Sequence, residues 1–343
     1  MKTRILKIEK SNIENLTEAR DLIKSGELVA FPTETVYGLG ADGLNEKAVE
    51  KIFIAKGRPQ DNPLILHISH MRMLNPLVEN IPEDAKLLME EFWPGPLTII
   101  FNKSKIVPDI ISGGLDTVAI RMPKNEIALE LINLSETPIA APSANISGRP
   151  SPTDAKTCYE DLKSKIELII DGGDTLVGLE STVIDMTGEV PTILRPGAIT
   201  LEMIRKLLPT VEVDKGILTK TQTPKSPGQK YKHYAPSADA FLLVGNMDEK
   251  LKKLNAFLQK NEDKKIGLMA TAEFLEKIDY KNIEIKNLGS ITDLENFGSL
   301  IFRDLRELDR QNVDVIICEG VEEVGLGMAI MNRLKKSTSN RYI

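Results

Sequence analysis

Short apolar runs alternate along this chain with segments whose apolar positions recur every three or four residues. The first pattern marks buried strands and the second amphipathic helices. Residues 28–31, 63–68, 97–101, 118–121, 139–141, 168–171, 182–185 and 192–195 read as strands. Helices are expected over 13–25, from an N-cap at Asn45 through Ala55, and over 83–92, 125–133, 154–163 and 200–207. Strands joined by both turns and helices predict an α/β domain over residues 1–210, built on a twisted mixed sheet. Residues 211–237 contain Pro224, Pro227-Gly228 and Pro236 without a sustained apolar period, and read as a linker. Residues 238–343 alternate more regularly. Strands near 240–244, 265–269, 283–285 and 313–318 take turns with helices near 248–260, 271–278, 292–311 and 327–336. This predicts a small parallel-sheet, Rossmann-like second domain.

Composition narrows the function classes. The 343 residues are 41% hydrophobic and 27% charged, ordinary for a globular protein of two domains. Only 5% are aromatic, too few for an extended stacking platform on single-stranded nucleic acid. A net charge of −6 argues against nucleic-acid binding over the whole surface and leaves room only for a local basic cleft. The two cysteines, Cys158 and Cys318, form no CxxC pair or disulfide framework and fit a reducing cytoplasm. No signal-peptide-like run opens the chain, and no stretch approaches the roughly 18 apolar residues of a membrane span. His67 and His70 lack a third ligand nearby, which disfavours zinc.

Several motifs carry chemistry. Gly38-Leu39-Gly40-Ala41-Asp42-Gly43 fits GxGxxG, but it does not directly follow the strand at 28–31, so a dinucleotide site is not expected. Lys56-Gly57-Arg58-Pro59 follows a helix and puts two cations in a turn. They can grip one polyanion such as a triphosphate, or form a solvated basic loop. The run 141–148, APSANISG, is too small and polar for a core and lets a ligand approach the backbone; the alternative is a plain turn. Arg121 and Arg195 each end an apolar strand, where a guanidinium needs a substrate anion or a structural Glu or Asp partner.

Taken together, PTETVYGLG (32–40), KGRP with NPL (56–64), FWPGPLT (92–98), RMP (121–123), APSANISG (141–148), GLESTV (178–183) and RPG (195–197) resemble the YrdC-type threonylcarbamoyl-AMP synthases. SPGQKYKHYAP (226–236) and EEVGLGMAIMNRLKKS (322–337) look like the linker and extra domain of the long form. The resemblance implies a YrdC-like fold with a concave cavity. It implies conversion of ATP, L-threonine and bicarbonate to L-threonylcarbamoyl-AMP and pyrophosphate, with the product passed to the tRNA threonylcarbamoyl transferase machinery. By motif, Thr35, His67, Thr117, Arg121, Ala141 and Ser181 should surround threonine. Arg58, Asn62, Ser143, Asn145, Ser151, Arg195 and Tyr234 should surround ATP, with Lys56 and Arg58 compensating charge in the catalytic step. No acidic metal cluster is visible, so Mg2+ is expected to be held mainly through the ATP phosphates. The segment 211–237 is expected to act as a lid, with Tyr234 at the nucleotide and Lys230 or Lys232 near its phosphates. Weak binding of tRNA or double-stranded RNA is a further expected partner interaction; the competing readings are a tRNA- or double-stranded-RNA-binding module, a carbamoyl-adenylate-processing domain of the hydrogenase-maturation type and a nucleotide sensor without catalysis.

Overall fold

A computed structural model describes residues 2–218, 234–280 and 282–343. The chain divides into two compact units. The second holds the described residues from Tyr234 onward together with residues 148–150 and 177–179; the first holds the rest.

The first unit is built on one mixed sheet. Its strands are β1 (Arg4–Lys7), β2 (Val29–Phe31), β3 (Gly38–Asp42), β4 (Ile65–His67), β5 (Leu97–Asn102), β6 (Thr117–Arg121), β7 (Ile139–Ala140), β8 (Leu168–Asp171), β9 (Thr182–Asp185), β10 (Thr192–Arg195) and β11 (Glu212–Val213). They lie in the order β1-β8-β2-β3-β7-β4-β6-β5-β9-β10-β11. Side chains alternate between its two faces. Val29, Phe31, Leu168 and Ile170 join one apolar cluster, with helices Thr17–Lys24 and Glu126–Ser135. Ala30 and Ile169 join another, with helices Glu46–Lys56 and Glu83–Phe92. The expected cap is present, since the Asn45 side chain accepts from the Ala48 amide.

Besides the short β11, two strands escaped the apolar pattern. β1 is a largely exposed strand at one end of the sheet. β3 is the glycine-rich GxGxxG segment, which is a buried strand antiparallel to β2 and β7. A Cβ on Gly40 would stand 2.8 Å from the Phe31 ring and 2.9 Å from Ile139 Cγ2. The glycine is there for close packing, in agreement with the rejection of a dinucleotide turn.

The first eight residues of the expected linker are more ordered than their composition suggests. Glu212–Val213 pairs in parallel with β10 and Lys215–Leu218 forms a helical turn. Two paired residues are too few to leave a periodic signature. Residues 219–233 of the expected lid, including Lys230, Tyr231, Lys232 and His233, lie outside the described residues.

The second unit has four parallel strands, β12 (Asp239–Leu243), β13 (Ile266–Ala270), β14 (Ile283–Asn287) and β15 (Val315–Glu319), in the order β12-β15-β13-β14. The β/α alternation thus gives the expected Rossmann-like sheet. The Gly325-Leu326-Gly327 segment is a turn opening the helix Leu326–Ser337. Among the described residues no helix is long and apolar enough to cross a membrane.

Candidate active site

Arg121 ends β6, and the ladder sets its neighbours. It lies opposite His67 of β4 on one side and Thr98 of β5 on the other. Arg121 is 4% exposed. Its Nη1 donates to Thr35 Oγ1 at 2.9 Å and its Nε to the Gly95 carbonyl at 3.3 Å. Glu34 is also buried, with Oε2 2.7 Å from Arg121 Nη2. This is charge contact without hydrogen-bond alignment, because Nη2 and both Glu34 oxygens lack a hydrogen bond. His67 Nδ1, equally buried, lacks one too. Burial, reinforced by the Arg121 charge, lowers the His67 pKa to about 3, so the imidazole is neutral near pH 7.

Of the seven buried side-chain atoms without a hydrogen bond among the described residues, four belong to Glu34, Arg121 and His67. Buried polar atoms are ordinarily satisfied, so such a concentration marks a place built to receive a polar ligand. Thr98 extends the group, its hydroxyl 2.7 Å from that of Ser181. Arg195, at the end of β10, donates to Ser181 Oγ and to the Ser181 carbonyl, both at 3.0 Å.

The Lys56 turn leads to a second constellation. Gly57 ends helix Glu46–Lys56 at φ 61°, with nothing within 4 Å of where its Cβ would be, so the left-handed conformation itself calls for glycine. That turn sends the two cations to different targets. Lys56, only 2% exposed, donates to the carbonyls of Ser143 and Asn145. Ser143 Oγ in turn donates to Asn145 Oδ1 at 2.5 Å. Arg58 donates to the carbonyls of Asn62 at 3.3 Å and Pro63 at 3.0 Å. Lys56 therefore shapes the small polar loop 143–145 from beneath.

A family model described as "Telomere recombination" matches residues 21–197, and one described as "Threonylcarbamoyl-AMP synthase, C-terminal domain" matches residues 199–339. A threonylcarbamoyl-AMP synthase from Pyrococcus abyssi is 51% identical over 328 residues, 95% of this chain and 94% of that one. One from Bacillus subtilis is 44% identical, covering 97% and 95%. The chain belongs to the threonylcarbamoyl-AMP synthase family. The crystal structure of P. abyssi Sua5 complexed with L-threonine superposes with a TM-score of 0.93 at 49% identity, over 99% of each chain. The enzyme class, a nucleotidyl-transferring synthase, and the fold expected from the motifs are therefore established.

Within this synthase fold, Thr35, His67, Arg121 and Ser181 come together as one group. Ala141 adjoins it through β4, its amide bonded to the Ile65 carbonyl at 3.0 Å. Thr117 stands apart. It opens β6 while Arg121 closes it, and four residues of strand rise separate them by about 13 Å. Arg195, expected at ATP, is bonded to Ser181, expected at threonine, so the two expected sets adjoin at this pair. Ser151 Oγ donates to Glu180 Oε1 at 2.5 Å. Tyr234 belongs to the second unit, where its ring packs on Phe302 with centroids 5.0 Å apart. The motif reading passed over Glu34, Thr98 and Gly95. All three lie inside the quoted words PTETVYGLG and FWPGPLT. Thr98, a polar residue inside an apolar strand, carried the clearest signal.

Proposed function

We propose that this synthase condenses L-threonine with bicarbonate and adenylates the resulting carbamate with ATP, releasing pyrophosphate. The unsatisfied buried atoms of Arg121 and His67 carry the reading. They offer a guanidinium edge for a carboxylate and an imidazole nitrogen for a hydroxyl, which are groups that threonine bears. Bicarbonate and the threonine amine give the carbamate and water; a carbamate oxygen attacks the α-phosphorus and pyrophosphate departs. Two anions meet in that step, so preorganised positive charge is the main requirement. Arg58 and Arg195 supply it, with Asn62, Ser143 and Asn145 contacting the nucleotide. Lys56 contributes charge from behind the loop and holds its shape.

Among the described residues no group of three or more His, Cys, Asp or Glu side chains converges to hold a metal. In this reading magnesium enters as the phosphate complex of ATP. The product serves the tRNA threonylcarbamoyl transferase machinery in the cytoplasm. The decisive assay is pyrophosphate release from ATP with threonine and bicarbonate each omitted in turn. Release should fall to background in both omissions. Release that ignores threonine would reduce the activity to ATP hydrolysis and overturn the reading.

A further inference from the structure

We propose that Glu34 receives the ammonium group of the amino-acid substrate, forming with Arg121 a two-charge clamp that selects a zwitterion. The proposal rests on the threonine reading above and adds a residue to it. Glu34 is 5% exposed, and neither carboxylate oxygen accepts a hydrogen bond. A carboxylate buried in this state is costly unless something completes it. Its charge partner does not complete it. Arg121 Nη2 lies 2.7 Å from Oε2, yet the pair is misaligned for a hydrogen bond. The guanidinium is held elsewhere, by Thr35 Oγ1 on Nη1 and the Gly95 carbonyl on Nε. Two opposite charges thus stand side by side with unused hydrogen-bonding capacity on each.

An α-amino acid carries the complementary pair on neighbouring atoms: its carboxylate matches the free edge of Arg121 and its ammonium the oxygens of Glu34. Both new contacts are charge-assisted and lie in a buried setting where they are strong. Thr33 and Thr35 flank Glu34, and their hydroxyls are bonded to each other at 2.9 Å. The Thr33 hydroxyl also donates to the Val36 carbonyl at 2.7 Å and receives the Thr35 amide at 3.1 Å. The backbone carrying Glu34 is therefore fixed by its neighbours, which preorganises the carboxylate.

The test pairs one protein group with one ligand group. Affinities for L-threonine and for its desamino analogue, (3R)-3-hydroxybutyrate, are measured calorimetrically on the full chain and on Glu34→Gln. The wild-type chain should prefer threonine by about 100-fold, and the variant by less than about 10-fold. An ATP affinity and thermal unfolding curve close to wild type establish that the variant is folded. If Glu34 only holds Arg121 in place, both ligands weaken by the same factor and the preference is unchanged, which overturns the proposal. Equal affinity of the wild-type chain for the two ligands overturns it without any variant, should Glu34→Gln fail to fold. Absence of threonine binding to the wild-type chain removes the threonine reading itself, an outcome distinct from both.

Discussion

Each unit holds an ion pair near the carboxyl ends of its strands, fully buried in the first and part-buried in the second, and the two pairs are finished differently. In the second unit Glu319 ends β15. Its Oε1 accepts from Lys250 at 2.8 Å, and its Oε2 accepts from both the amide and hydroxyl of Thr271 at 2.8 Å. Lys250 also reaches the Gly320 carbonyl at 2.9 Å. Both carboxylate oxygens and the ammonium have aligned partners, so the pair is closed. In the first unit Arg121 and Glu34 touch without an aligned bond, and three of their polar atoms remain without hydrogen bonds. A buried ion pair is weak evidence of function by itself, because desolvation offsets much of the attraction. What separates site from scaffold is whether the hydrogen-bonding capacity has been used up.

The contrast is broken most forcefully at the closed pair. Glu319→Ala leaves the part-buried Lys250 with only the Gly320 carbonyl and the buried Thr271 amide and hydroxyl without their acceptor, and should destabilise the second unit by about 3–5 kcal/mol, the usual cost of removing one member of such a pair. Urea denaturation followed by a probe in that unit would register the loss. Affinity for threonine should stay unchanged wherever the protein remains folded. A variant that keeps its stability but loses threonine would reverse the roles assigned to the two pairs.

A smaller effect is expected at Lys56, a closed cation beneath the candidate nucleotide loop. Lys56→Met removes the donor shared by the Ser143 and Asn145 carbonyls and should cost about 2–4 kcal/mol, combining lost charge-assisted bonds with two carbonyls left short of a donor. The loop 143–145 bears the loss, so KM for ATP should rise while the calorimetric affinity for threonine alone is preserved. An unchanged KM for ATP would leave Lys56 with a purely structural part.

That Lys56 points inward was not legible from the chain. The turn Lys56-Gly57-Arg58 announced two cations, but the partner carbonyls lie 87 and 89 residues away, a separation no local pattern carries. The same limit hid Glu34, whose meaning depends on Arg121 arriving through β6. It hid β3 as well, because glycines chosen for close approach erase the apolar alternation that marks a strand. The reverse holds where a signal is local. The Asn45 cap, the apolar runs of β5, β8 and β9 and the β/α alternation of the second unit were readable because cap, period and burial all act within a few residues. Family words named residues from distant segments, of which Thr35, His67, Arg121 and Ser181 converge, while Thr117 lies at the far end of its strand.

The subtlest effect concerns His67, the third member of the open group. Its pKa falls from 6.5 to about 3 because burial, and then the Arg121 charge, penalise the imidazolium. The sign follows from which state binds the proton. Between these two values the unfolded chain is protonated at His67 while the native chain is not, so stability rises with pH across the window and is lost as pH falls. The His67 contribution is fully present above about pH 6.5 and declines by about 1.4 kcal/mol per pH unit below it. Carboxylates add their own acid sensitivity, so the informative quantity is the stability difference between wild type and His67→Asn, measured by urea denaturation from pH 7 down to pH 4. That difference should shift steadily against the wild type as the pH drops, since only the wild type must keep a histidine neutral against the protons of the medium. A difference that stays flat from pH 6.5 to 4 would mean that the imidazole accepts its proton in the folded state. His67 could then no longer offer its substrate an unprotonated ring nitrogen at the acid end of the range.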